Sequence, residues 1–378
     1  MSNTEKPFKV SVFADDLELL RRKLDLTRLP DELDEAGWDY GSPLADIRRL
    51  LARWRDGFDW KVAEDRINLL PQFTRDIEVD GFGTLNIHYV HQKSAADDAI
   101  PLIFIHGWPG HFLEVTKILP LLTSSSGKYP SFHVVALSLP GYGFSEGPKK
   151  KRFAISKYAE VSHKLMIALG YEQYVVQGGD WGYVVGRNMA HMYGPEHVKA
   201  WHTNFPICGP PSFTHNPFLF LKMVFLPFLS KDMAGLKKTA KWQKTGQGYG
   251  SIQQQRPQTL GYSMMDSPVG LLAWIYDKLV DWTDDYKWTD DETAARIYYE
   301  FEHVGGLPGY SPVPFGQSYF PKELIHLPKW WAPSVGKVVF QAEHTSGGHF
   351  AAYEKPDELV ADLRTMFGRT PGFTHKHK

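Results

Sequence analysis

The chain has 378 residues, too long for one minimal core and short for three domains, so one large domain with an insertion, or two domains, is expected. A net charge of −1 supplies no field to gather nucleic acid or an anionic membrane, and neither is expected as a partner. Cys208 is the single cysteine, which excludes an intramolecular disulfide and a Cys-rich metal site and suits a reducing compartment.

The polar start MSNTEKPFKVSVFADD has no apolar signal-peptide core, so a soluble, cytoplasmic protein is expected. Residues 1–90 read as a helical extension ending in a hairpin. Leu17, Leu20 and Leu24 share a helix face. Ser42 reads as an N-cap with Pro43 at the first helical position, and Leu44, Ile47, Leu51 and Trp54 then recur at helical spacing. TRDIEVDGFGTLNIHYVHQ alternates around a glycine turn and predicts the hairpin.

Residues 91–205 read as the first part of an α/β core, with 316–378 as its second part. PLIFIHG, FHVVALSLPG, YVVQGGD and KVVFQAE are short apolar runs ending in Gly, Pro or Asp, with room between the first three for helices such as SKYAEVSHKLMIALG. That alternation predicts a mostly parallel sheet covered by helices on both faces. Such sheets bind ligands at the carboxyl ends of their strands. Residues 206–315 lose the strand rhythm and are rich in Phe, Tyr, Trp and Met, as a helical insertion over the sheet would be. Within them NPFLFLKMVFLPFLS is too short to span a bilayer and reads as a cap or core helix.

Three stretches at strand ends carry chemistry. In VVQGGDWGYVVG, Gly178, Gly179 and Gly182 surround Asp180 as a sharp strand-to-helix elbow requires, although a tight turn whose Asp caps the next helix has the same look. HGWPG, 106–110, follows a strand where elbow hydrolases donate a backbone N–H to an oxyanion hole. Those N–H groups would be Trp108 and, after the nucleophile, Trp181. SGGHF puts His349 on a glycine-flanked loop near the C-terminus, the place of the base in the order nucleophile, acid, histidine. Candidates for the acid are Glu323, at the return from the insertion to the core, and Glu343, close to a strand end and less well placed.

Together these residues resemble the epoxide hydrolases of the α/β-hydrolase superfamily, in particular the microsomal-type branch with a helical N-terminal extension. The similarity runs along most of the chain through HGWPG, LPGYGFS, GGDWG, DSPVGLLAWI and FPKEL…GGHFAAYEKP. It implies an α/β-hydrolase fold with a helical cap, Asp180 as nucleophile, His349 as base and Glu323 as the acid behind it. It also implies two cap tyrosines bonded to the epoxide oxygen, Tyr249 in GQGYGSIQ and, in IYYEFE, Tyr299 rather than Tyr298. A small-molecule epoxide and water are the implied partners, and the reaction needs no metal or organic cofactor. No membrane anchor is read in the chain, so a soluble member of that branch is expected. A homodimer, reached through the N-terminal extension, stays open.

A carboxylate attacking an acyl carbon would leave a reactive anhydride, whereas displacement at an sp3 carbon leaves an ordinary alkyl ester that water can cleave. Haloalkane dehalogenases use the same elbow but usually carry Asn where this chain has Trp108, and they need no tyrosine donors. A catalytically silent hydrolase fold would have lost nucleophile, base or acid. A serine esterase lacks its G-x-S-x-G here, Ser145 in YGFSEG lying after the wrong strand.

Overall fold

The computed structural model describes residues 4–214, 216–289 and 308–369. Among them nine strands form one sheet in the order β1-β2-β3-β5-β4-β6-β7-β8-β9. The strands are β1 (Lys6–Pro7), β2 (Gln72–Val79), β3 (Gly83–Gln92), β4 (Ile100–Ile105), β5 (Phe132–Leu137), β6 (Tyr174–Gly178), β7 (Val198–Thr203), β8 (Ser311–Tyr319) and β9 (Gly336–Glu343). Pairings from β1 to β5 are antiparallel, and those from β5 through β4 to β9 are parallel. This is the mostly parallel α/β-hydrolase sheet that the sequence predicts.

The central strands read as continuous apolar runs because both their faces are covered. Along β4, Leu102 and Phe104 join one core with Val134 and Ala136, closed by α4 (Leu119–Thr123) and α13 (Pro356–Phe367). Ile103 and Ile105 point the other way and meet Val135 and Leu137 under α5 (Ile155–Ala168) and α6 (Trp181–Tyr193). Each such side chain taken fully out of water contributes about 1.5–3 kcal/mol before chain entropy is counted.

The N-terminal extension serves both layers. Its hairpin, β2 and β3, is built into the sheet, and β3 pairs with β5 from Tyr89↔Leu137 to Gln92↔Val134. Its helices α1 (Ala14–Asp25) and α2 (Leu44–Asp56), which precede α3 (Trp60–Ile67), instead pack on α11 (Pro268–Asp281). Leu24, Ile47, Leu50 and Leu51 close there over Val269, Leu272 and Tyr276. Lys23 also bonds the carbonyl and carboxylate of Asp266.

The expected Ser42 cap is not formed. Pro43 occupies the N-cap without a side-chain bond, and Glu32 accepts the Leu44 N–H at 2.7 Å. The Ser42 hydroxyl donates instead to the Ala273 carbonyl of α11 at 3.1 Å, so a tertiary contact overrides the local capping preference.

Between β7 and β8 the described residues form α7 (Pro217–Lys222), α8 (Ser230–Thr245), α9 (Gly248–Gln255), α10 (Pro257–Asp266) and α11. The aromatic stretch 216–230 is split into α7 and a 3-10 turn, Met223–Phe228, and neither buries a side chain. Phe218, Val224, Phe225 and Phe228 stand exposed, so this segment lies on the cap surface rather than in a core. No described helix is long and apolar enough to cross a membrane. After β9, α12 (Ala351–Glu354) precedes α13.

Candidate active site

Asp180 stands two residues beyond β6, with φ 48° and ψ −125°, a left-handed conformation that costs a non-glycine residue about 1–3 kcal/mol and clusters at functional sites. Two glycines make the turn possible by close approach. A Cβ on Gly182 would lie 1.9 Å from the Ile105 carbonyl oxygen, and one on Gly107 would lie 2.2 Å from Asp180 Oδ1. Asp180 holds the N-cap position of α6, yet its side chain makes no capping bond. Its Oδ1 accepts the Trp108 N–H at 2.8 Å instead. The carboxylate is turned away from the helix and into the space beyond the strand ends, which disposes of the capping alternative. Trp181 is the first residue of α6, where helix N–H groups have no partner within the helix.

His349 stands between two carboxylates. Its Nε2 lies 3.5 Å from Asp180 Oδ2, and its Nδ1 lies 2.7 Å from Glu323 Oε1. Glu323 comes from the loop after β8, where Lys322 bridges Gly348 beside His349. The Leu324 N–H also donates to Glu323 Oε1, at 2.7 Å. Glu343 is not in this group. It pairs with Lys231 and Lys329 on the surface.

Burial alone would lower the His349 pKa. The Glu323 charge, the hydrogen bonds to Asp180 and Glu323, and the Asp180 charge together outweigh it and hold the imidazole well above its ordinary value. Rings of Trp282, Phe350 and Phe205 stand edge-on to the buried imidazole at 5.0, 5.2 and 5.4 Å.

Residues that the sequence did not single out hold the His349 loop. The His349 N–H donates to the Trp282 carbonyl at 2.9 Å, and Asn204 Nδ2 donates to the His349 carbonyl at 3.3 Å. Asp284 accepts the Gly347 N–H at 2.7 Å, and its own N–H donates to Glu354, which also accepts the Phe350 N–H. Burial pushes the Glu354 carboxyl up to about 7, against the pull of those two N–H donors. The acidic DWTDD after an apolar helix was the one local trace of this support.

A cavity of about 180 Å³ opens from Asp180 under the cap. Trp108, Tyr142, Trp181 and Phe205 line it from the core, and Trp242, Gln243, Gln247, Gln253 and Gln254 from the cap. Tyr249 lies in the same wall, stacked on Trp108 with centroids 4.9 Å apart at 14°. Burial, reinforced by the Asp180 charge, raises its pKa, so the hydroxyl keeps its proton and stays a donor. A larger cleft of about 840 Å³ lies where residues 26–42 meet α10 and α11, away from Asp180 and its chemistry. Tyr298 and Tyr299 lie outside the described residues. Among the described residues no group of three or more His, Cys, Asp or Glu could hold a metal ion.

The chain is similar to known proteins. A family model described as "Epoxide hydrolase N terminus" covers residues 5–115, and one described as "alpha/beta hydrolase fold" covers residues 100–289. Epoxide hydrolase 1 of Sus scrofa is 33% identical over 96% of this chain and 88% of its own length. The solved structure of Aspergillus niger epoxide hydrolase is 31% identical, covers 97% of both chains and superposes with a TM-score of 0.83. Juvenile hormone epoxide hydrolase of Bombyx mori is 26% identical over 97% of this chain and 94% of its own, with a TM-score of 0.85.

Proposed function

The chain belongs to the epoxide hydrolase family, and from that premise we propose that it turns an epoxide into a vicinal diol through an ester formed on Asp180. The observation that carries this reading is the line of three groups, Asp180, His349 and Glu323, with contacts of 3.5 and 2.7 Å. Asp180 displaces the ring oxygen from carbon while Tyr249 and Tyr299 donate to that oxygen and supply its proton. Water then attacks the Asp180 carbonyl carbon and gives a proton to His349 Nε2. The Trp108 and Trp181 N–H groups hold the oxyanion, and Glu323 keeps the proton on Nδ1 and supports the imidazolium.

The charge of Asp180 also times the two steps. In the free enzyme it helps hold the His349 pKa up. Esterification removes that charge, the imidazole loses one of its supports, and burial then favours the neutral base that the second step requires. With about 180 Å³ of aromatic-walled space, the pocket suits an epoxide bearing one aryl ring or a short alkyl chain. A cavity of about 150 Å³ already holds benzene. A soluble, cytoplasmic setting belongs to the same proposal.

Tyr249→Phe is expected to slow ester formation about 100-fold while leaving ester cleavage unchanged. Rapid-quench single turnovers with a mono-aryl epoxide measure both rates. Wild-type ester formation in this variant would remove Tyr249 from the reaction, and the same comparison for Tyr298→Phe and Tyr299→Phe identifies the second donor.

A further inference from the structure

Ester cleavage needs a water molecule at the Asp180 carbonyl carbon, and the wide pocket is the space that the substrate itself would fill. A second, separate cavity meets Asp180. It shares Trp108 with the first but is otherwise walled by Gly107, Gly110, Glu114, Asn204 and His349 among others, and it leaves about 10 Å³ for the centre of a water molecule. That is about the room one water occupies, and a buried water also needs two to four polar partners.

Glu114 has a specific relation to this space. It lies on the short 3-10 turn Phe112–Thr116, directly after the loop that carries Trp108. A Cβ on Gly110 would lie 1.7 Å from Glu114 Oε1 and 3.3 Å from the Gly107 carbonyl oxygen. Gly110 therefore leaves open the space that the carboxylate occupies, and the carboxylate and His349 share the cavity with Asp180.

We propose that this cavity holds the hydrolytic water and that Glu114 orients it. Resting on the ester reading above, one O–H of the water bonds Glu114 and the other points at His349 Nε2, which leaves a lone pair for the Asp180 carbonyl carbon. As the O–C bond forms, His349 takes the second proton. The tetrahedral intermediate then expels the diol oxygen, which takes that proton back from the imidazolium. Glu114 keeps its charge throughout, the water oxygen stays in the Asp180 carboxyl group, and the water's other proton, left on that group, replaces the one that the tyrosine gave to the ring oxygen.

The test follows intact protein mass through a single turnover of styrene oxide by the full chain. Glu114→Gln is expected to form the ester at the wild-type rate and to cleave it about 100-fold more slowly, because a misplaced reactant costs about that much. Gly110→Ala, which drives a methyl group into the carboxylate without removing it, should give the same split. Glu114→Asp should recover part of the cleavage rate. A merely structural role would slow both steps together or neither. Cleavage within twofold of wild type in both Glu114→Gln and Gly110→Ala, or equal slowing of both steps, overturns the proposal. If Glu114→Gln does not fold, Gly110→Ala alone decides. His349→Gln in the same assay separates the two readings. An adduct there with no effect of Glu114 sinks only the water site, whereas a variant that leaves the epoxide unopened sinks the ester mechanism itself.

Discussion

His349→Gln is expected to consume one equivalent of epoxide per enzyme and then stall, with the opened substrate esterified to Asp180. The alkylation step needs the Asp180 carboxylate and a proton donor for the ring oxygen, and neither comes from His349. The second step needs a base at Nε2, and glutamine supplies none. Loss of a positioned general base costs about 10²–10⁴-fold. Asp180 would keep its Trp108 N–H donor at 2.8 Å, so the ester would form in an intact elbow. Intact-protein mass spectrometry should show a stoichiometric increase equal to the epoxide mass. Free enzyme with full turnover would remove His349 from its role.

Glu323→Gln should act on the same step but leave a different signature. Glu323 Oε1 lies 2.7 Å from His349 Nδ1 and accepts the Leu324 N–H at 2.7 Å. That second donor selects an oxygen at the site, so a glutamine would present its carbonyl there and keep the proton on Nδ1. The loss is then the negative charge rather than the tautomer. About 100-fold slower ester cleavage is expected, short of the roughly 10⁴-fold lost when such a change imposes the wrong tautomer.

The pH profile carries the sign. Cleavage requires neutral imidazole, so its rate falls as the pH drops through the His349 pKa. The Glu323 charge raises that pKa. Removing the charge must move the acid limb of cleavage to lower pH. An unshifted limb, or one moved upward, would contradict the pairing.

Part of this site was legible because Trp108, Asp180 and His349 each follow a short apolar run, those of β4, β6 and β9. The runs of β4, β5 and β6 are nearly continuous in Val, Ile, Leu and Phe because they are covered on both faces. Two neighbours escaped notice for physical reasons. VKAWHT (β7) mixes polar and apolar residues. SPVPFGQSY (β8) carries two prolines and a glycine, which argue against a central strand. The register resolves the second case, because β7 pairs with β8 only from Phe315 onward, beyond both prolines.

Distance-dependent choices were not legible. Spacing favours Glu323 over Glu343 without settling the choice, which the His349 contact in the fold makes explicit. Asn204 and Glu354 reach the His349 loop from separate elements, and no local spacing announces them. Glu114 likewise reads as an ordinary acidic residue in a first turn until Gly110 shows the space kept open for it.

Ester formation on Asp180 is tested most directly by one turnover in 18O-enriched water with enzyme in excess over epoxide. Attack by Asp180 predicts a diol free of label and one 18O in the peptide that contains Asp180, because water cleaves the ester at the carboxyl carbon. Label in the diol from that first turnover, with none in the peptide, would show water attacking the epoxide itself and would contradict the covalent mechanism.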